Sequence, residues 1–165
     1  MKIIFNKIKE LEKIIEQHQN QLLSFAFYRI GSFENAQDIV QDVFLKLYEN
    51  LRFLETKNLK TYLLKSISNA CADYHRKNKI NFEQIENLKD TILDDEKAEC
   101  LAEFIRIEDL LKDLPLEQSE ILKMKFIDDL NFVEISEILN INVNTVKSRY
   151  KYAINKLKQN KLLKY

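Results

Sequence analysis

The chain has 165 residues, 45% of them hydrophobic, and its 26 basic side chains are matched by 26 acidic ones, so it can bury the core of one domain or of two small ones, while the zero net charge argues at first against a nucleic-acid partner. Two cysteines, Cys71 and Cys100, are too few and too isolated for a disulfide framework, and with His18 and His75 they form no close ligand spacing, so no structural metal or cofactor is expected. The apolar run at the N-terminus breaks after Phe5, and no other run approaches the ~20 residues of a membrane span, so a soluble cytoplasmic protein without direct membrane insertion is expected.

Only one glycine, Gly31, and one proline, Pro115, punctuate the chain, and strand-like alternation is absent. An all-α fold follows. Ile8, Leu11, Ile14, Leu22, Phe25 and Ile30 keep helical spacing over Lys7–Ile30, and Gly31 stops that helix. Ser32 then caps a helix running to about Asn50, with Ala36, Val40, Val43, Leu47 and Leu51 on its buried face. Its other face holds Asp38, Gln41, Asp42, Lys46 and Glu49. Asp38 and Asp42 form a like-charged i,i+4 pair that costs a few tenths of a kcal/mol. The helix dipole compensates acids near the N-terminus, which suits Glu34 and Asp38 better than Asp42. On spacing alone, a solvated acidic face and a ridge that docks a basic partner are equally good readings.

Leu51–Asn58 reads as a loop carrying two apolar residues, Phe53 and Leu54. A third helix spans about Leu59–Lys77, with Leu59, Leu63, Ile67, Ala70, Cys71 and Tyr74 inward and Lys60, Lys65, Asn69, Asp73 and Arg76 outward. Lys60, Tyr62, Lys65, Asn69 and Arg76 mix cations, an amide and an aromatic, a set that can hold phosphates and stack on unpaired bases. Composition alone favours an ordinary solvated face with Tyr62 half-buried. Residues 81–96 lack an apolar stripe and contain Asp90, Asp94, Asp95 and Glu96, which reads as an acidic flexible linker. Two small helical domains, 1–79 and 99–165, joined by a linker over 80–98, are therefore expected.

The helical pattern resumes at Leu101 and runs through Phe104, Ile107 and Leu111. Pro115 fits the first position of a helix over Leu116–Ile127, closed by Asp128 and Asp129. Asn131 caps a short helix bearing Phe132, Ile135, Ile138 and Leu139, and Asn140 can accept a left-handed stop. Asn142 caps a second helix with apolar positions Val146, Tyr150, Ala153 and Leu157, and Ser136 is small where the two helices approach. This is the layout of a helix-turn-helix, whose second helix enters the major groove.

Charge supports that reading. Residues 140–165 hold six Lys, one Arg and no acid, and Lys147 and Arg149 lie in the first turns, where the dipole disfavours cations. By segment the net charge is +3 over 1–78, −6 over 79–113 and +3 over 114–165, and local fields matter more to a polyanion than the total. One glycine leaves no phosphate-cradling loop, no Ser sits in a nucleophile elbow, and both His lie in polar helical segments with no evident partner. No enzyme activity is expected.

Two segments carry a family resemblance. NAQDIVQDVFLKLYENL (35–51), followed by LKTYLLKSISNACADYHRK (59–77), resembles region 2 of the extracytoplasmic-function (ECF) group of sigma-70-type sigma factors. LPLEQSEILKMKFIDDLNFVEISEILNINVNTVKSRYKYAINKL (114–157) resembles their region 4. The order of the two, spaced by an acidic linker and covering nearly the whole chain, makes the match specific. It implies a dissociable subunit that brings core RNA polymerase to promoter DNA and helps open it. Asp38, Gln41 and Asp42 match the motif that docks on the polymerase β′ clamp helices, and contact with the β subunit is implied as well. Phe53, Lys60, Tyr62, Lys65, Asn69 and Arg76 fall in the −10 reader, where a base extruded from the non-template strand needs a pocket, a stacking surface and nearby cations. The helix from 143 to 158 matches the −35 reader. There Lys147, Ser148, Lys151 and Tyr152 would face bases, and Thr145, Arg149 and Asn155 phosphates or groove edges, with Asn144 at the DNA-facing start of the helix. An anti-sigma factor that masks these surfaces is the further partner implied.

The sequence departs from the family in places. Tyr62 stands where Trp is frequent and offers less stacking area. Asn140, Asn142 and Asn144 replace the Gly, Pro and Gly of the usual turn, and Asn is the best non-glycine substitute where φ is positive. Two other classes compete with this reading: a stand-alone helix-turn-helix repressor, which leaves the acidic ridge unexplained, and a helical interaction module with a solubilising basic tail.

Overall fold

The computed structural model describes residues 1–53, 55, 57–78 and 94–162. Among them are seven α-helices, one 3-10 turn and no strand: α1 Lys2–Ile30, α2 Phe33–Glu49, the 3-10 turn Leu51–Phe53, α3 Leu59–Lys77, α4 Asp95–Leu111, α5 Leu116–Phe126, α6 Phe132–Leu139 and α7 Val143–Leu162. The chain divides into two compact units, Met1–Asp90 and Thr91–Tyr165. The stretch from 79 to 93, which contains most of the expected linker, lies outside the described residues, as does Leu54.

In the first unit α1 packs along both α2 and α3. Its stripe Leu11, Leu22, Phe25 and Ala26 is fully buried, against Ala36, Val40, Val43 and Leu47 of α2 and Leu59, Leu63, Leu64, Ile67 and Cys71 of α3. Each fully buried Leu, Ile or Phe contributes about 1.5–3 kcal/mol, so this shared stripe dominates the unit's stability. The helix begins at Lys2, five residues before the sequence pattern places it, because no Gly or Pro interrupts the first turns. Lys7 Nζ there donates to the Arg52 carbonyl (3.1 Å) and ties the start of α1 to the 3-10 turn. Leu51 buries itself in that turn, which gives local structure to a segment read as a loop.

Gly31 ends α1 at φ 74°, donating to the Phe27 carbonyl. The Ser32 hydroxyl accepts from Asn35 N at 3.3 Å, and Phe27 stacks on Phe33 across the turn with ring centroids 4.1 Å apart. Arg29, a cation within the apolar stretch of α1, is buried. Its guanidinium lies 3.5 Å from the Phe25 ring centroid and donates to the Phe25 carbonyl at 2.8 Å. His75 is exposed, as expected of a solvated residue. It nevertheless has a partner, since its Nε2 lies 2.6 Å from the Arg29 carbonyl oxygen.

In the second unit the acidic run read as linker turns out to open a helix. Asp94 is the N-cap of α4, its side chain accepting from Lys97 N at 2.9 Å, and Asp95 and Glu96 occupy the first turn. Acids there are favoured by the dipole, so charge that reads as disorder in sequence is a helix-start signal. Pro115 takes the N-cap position, with ψ 145°, and not the first helical position; its carbonyl accepts from Gln118 and Ser119. The turn after α5 uses a left-handed Asp129, at φ 53°, and Leu130 N closes it onto the Met124 carbonyl at 3.0 Å.

Asn131 and Glu134 form a reciprocal capping box at the start of α6, which satisfies two orphan backbone donors at once. Asn140 stops α6 in the left-handed region at φ 53°, and the Asn142 side chain accepts from Asn144 N at 2.8 Å as α7 begins. The helix continues to Leu162, past the expected Lys158, since no breaker intervenes. Leu111, Leu114, Leu122 and Ala153 form one cluster of the core, with Ile107, Tyr150, Ile154 and Leu157 packed against it. Beside it Lys123 and Glu108 make an ion pair with the lysine almost wholly buried. Removing one member of such a pair costs about 3–5 kcal/mol, although the intact pair adds little to stability. No described helix is long and apolar enough to cross a membrane, and no metal-ligating cluster of three or more side chains occurs among the described residues.

Candidate protein-docking and nucleic-acid interfaces

The inward face of α2 is consumed by the core, which leaves Asp38, Gln41 and Asp42 exposed on its outer face. Their spacing continues, at i+3 and i+6 from Asp42, to Leu45 and Tyr48. Leu45 is 60% exposed in the middle of a polar helix face, a residue the sequence reading passed over. A leucine three residues from a predicted acidic cluster was the available signal. Burial first, and then the Glu12 carboxylate on α1, raise the pKa of the Tyr48 phenol above its ordinary value. The ridge thus joins two carboxylates, an amide, an aliphatic side chain and a phenol on one accessible surface.

On α3, Tyr62, Lys65, Asn69 and Arg76 follow i, i+3, i+7 and i+14. At about 100° per residue they lie within about 60° of one another on the helix. Tyr62 and Asn69 are exposed and Lys65 is half-buried. Arg76 is exposed as well and forms an ion pair with Asp73. Lys60 is not part of this face; it is half-buried on the opposite side of the helix. Phe53, in the 3-10 turn, is 86% exposed. A bare phenyl ring held by a tight turn is a ready stacking surface. Asn58 begins α3 in the left-handed region at φ 59° with no side-chain cap bond.

Val146 and Ala153 set the buried side of α7, both with no exposure. Asn144, Lys147, Ser148, Lys151 and Asn155 emerge opposite, all exposed, within an arc of about 100°. Tyr152, exposed, and Thr145, half-buried, flank one edge of that arc. Arg149 lies further round, beside α5, where its Nη2 is 3.0 Å from Glu117 Oε2. Seven residues on, and on the same flank, Lys156 Nζ donates to the Asp113 carbonyl at 2.6 Å. Five of the six cations of α7, all but Lys161 in its last turn, therefore sort into two rows. Lys147, Lys151 and Lys158 form an open row without an ionic partner among the described residues, and Arg149 and Lys156 form a row occupied by the α4–α5 segment. Glu117 was not among the residues singled out in the sequence; an acid in the first turn of a helix reads by default as a dipole partner.

The comparisons agree on both units. The family model "Sigma-70 region 2" matches residues 14–80, and "Sigma-70, region 4" matches residues 110–159. The ECF RNA polymerase sigma factor SigW of Bacillus subtilis (strain 168) is 26% identical over 171 aligned residues, which cover 89% of this chain and 90% of that one. The RNA polymerase sigma factor SigV of the same organism is 28% identical, over 82% of this chain and 81% of its own. Among solved structures, the sigma factor RpoE of Bartonella quintana, crystallised with the anti-sigma factor NepR, superposes with a TM-score of 0.65 at 19% identity, covering 92% of this chain and 96% of that one; at that identity the likeness is one of fold.

Proposed function

The chain belongs to the ECF subfamily of sigma-70-type RNA polymerase sigma factors, and from that premise we propose how its surfaces divide the work of initiation. It binds core RNA polymerase, directs it to specific promoters through −10 and −35 recognition, and promotes DNA-templated transcription initiation. The ridge on α2 is the polymerase dock. Asp38, Gln41 and Asp42 meet the β′ clamp helices, and Leu45 supplies the apolar contact at the centre of the patch, with Tyr48 beside it. An interface needs such a desolvated centre, because charges alone give rate and specificity more than affinity.

The Tyr62–Lys65–Asn69–Arg76 face of α3, with Phe53, takes the unstacked −10 strand: aromatic rings stack on bases while the cations follow the backbone. Lys60 contributes field and no direct contact. The open row of α7 reads the −35 duplex. Lys147, Ser148, Lys151 and Tyr152 reach base edges, and Asn144, Thr145 and Asn155 touch backbone or groove edges. The reading carries binding and melting with no chemistry of its own. It places the protein in the cytoplasm with polymerase, and it includes an anti-sigma partner of the kind named for the Bartonella neighbour, which would cover the docking ridge or the DNA-facing helices.

The observation that carries this reading is the presence on one chain of an exposed acidic ridge outside the buried face of α2 and an exposed basic row on a helix-turn-helix. The test is transcription by core polymerase with and without the chain. Initiation that requires the chain supports the assignment. Tight unaided duplex binding with no core-dependent initiation would be the behaviour of a repressor.

A further inference from the structure

We infer that Glu117 acts as an internal stand-in for a DNA phosphate: it occupies Arg149 in the free protein, and Arg149 becomes a backbone contact only when a phosphate displaces it. The inference rests on the reading of α7 as the duplex-facing helix and adds a residue to it. The geometry has three parts. First, Glu117 Oε2 is 3.0 Å from Arg149 Nη2, with side-chain exposures of 68% and 31%. The contact is therefore on the surface and not sealed in the core, and a solvated pair of this kind is held weakly enough for a competing anion to take. Second, Arg149 is not alone on its flank. Lys156, one heptad on, is held by the Asp113 backbone carbonyl, so the α4–α5 segment presents acceptor oxygens, one of them the Glu117 carboxylate, to both cations of this row of α7. Third, the row with no ionic partner among the described residues, Lys147, Lys151 and Lys158, lies on the other side of the exposed arc.

A guanidinium has five donors in a planar fork and binds carboxylate and phosphate oxygens in the same manner. The Glu117 carboxylate thus satisfies Arg149 as a phosphate would, and then opposes the phosphate by its own charge when duplex arrives. The result is a flank that is silent in the free chain and a module that holds duplex DNA only weakly by itself. Such weakness suits a factor whose DNA contacts are to form in the polymerase complex, where the two readers act together.

The experiment uses the full-length chain and a short fluorescently labelled duplex of arbitrary sequence, since a phosphate contact carries no sequence information, with affinity measured across a salt series. Glu117→Gln keeps size and hydrogen-bonding capacity and removes the charge. It is expected to tighten duplex binding about 2- to 5-fold at low salt. Arg149→Ala should weaken binding and lower the salt slope by about one phosphate contact. In the Arg149→Ala background, Glu117→Gln should give no further gain. Unchanged or weaker binding by Glu117→Gln would overturn the inference, and so would an equal gain in the presence and absence of Arg149, which would reduce Glu117 to a general repulsive charge. Lys147→Ala separates this from the underlying assignment. If Lys147→Ala weakens binding while Glu117→Gln changes nothing, the Glu117 role falls and the reading helix stands. If neither substitution has an effect, both fall.

Discussion

The side-chain amide of Asn35, in the first turn of α2, donates a 2.8 Å hydrogen bond to the hydroxyl of Tyr74, in the last turn of α3. It latches the start of the helix that carries the acidic ridge to the end of the helix that carries the proposed −10 face. Both groups are partly buried, so either one left alone loses a bond that water replaces poorly. Asn35→Ala and Tyr74→Phe are each expected to destabilise the first unit by about 1 kcal/mol. Urea denaturation should show a lower midpoint with an unchanged slope, and an unmoved midpoint in both variants would mean that the latch does not form.

The ridge itself is expected to behave as an interface and not as part of the core. Asp38→Lys with Asp42→Lys should abolish co-elution with core polymerase while the thermal midpoint stays close to that of the parent, because exposed substitutions usually change stability by no more than about 0.5 kcal/mol. Leu45→Ala should also weaken the complex, through lost apolar area. Retained co-elution in the double lysine variant would remove the ridge from the docking site.

Lys147 projects from the open row of α7, and its replacement by Ala should cost about 1–3 kcal/mol of promoter affinity if it reads a base. The loss should then be largest for the correct −35 sequence. A loss of similar size on every sequence would make it a phosphate contact, and unchanged binding would take it out of the site.

Asparagines cap both ends of α6, and Asn131 and Asn140 have separable roles. Asn131→Ala removes one half of the capping box and should cost about 1 kcal/mol. Asn140→Ala places a Cβ without local hydrogen-bonding ability at φ 53° and should cost about 1 kcal/mol, whereas Asn140→Gly should be tolerated, since glycine adopts that conformation freely. Thermal denaturation of the three variants checks the order, and equal stability of the Ala and Gly variants at 140 would contradict it.

Much of this architecture was legible in the residues. Gly31, Ser32, Asn131, Asn140 and Asn142 mark helix ends by chemistry that acts locally, and they stand where their side chains and backbone preferences require. The buried stripe of α2 followed from spacing alone. What escaped notice depends on neighbours distant in sequence or on signals with two meanings. Asp94, Asp95 and Glu96 are acids that serve a helix start as readily as a flexible linker, and only the hydrogen bond to Lys97 N decides between them. The partner of Arg149 is thirty-two residues earlier, on another helix, and no periodicity within α7 could reveal it. Leu45 is apolar, yet periodicity keeps it off the buried face; its exposure becomes visible only when the core is seen to be complete without it. Lys60 shares its charge with the Tyr62–Arg76 face of α3 but not its direction, a distinction that composition does not make.

Core-dependent promoter selection is the activity that all of these surfaces serve in the proposed function. The direct measurement is transcription of fragmented genomic DNA from the source organism by core polymerase, with and without the chain, followed by mapping of the 5′ ends of the transcripts. New start sites that appear only with the chain, and that share two sequence blocks at constant spacing upstream, are the predicted result. The same start sites with and without the chain, or suppression of transcription by the chain alone, would contradict it.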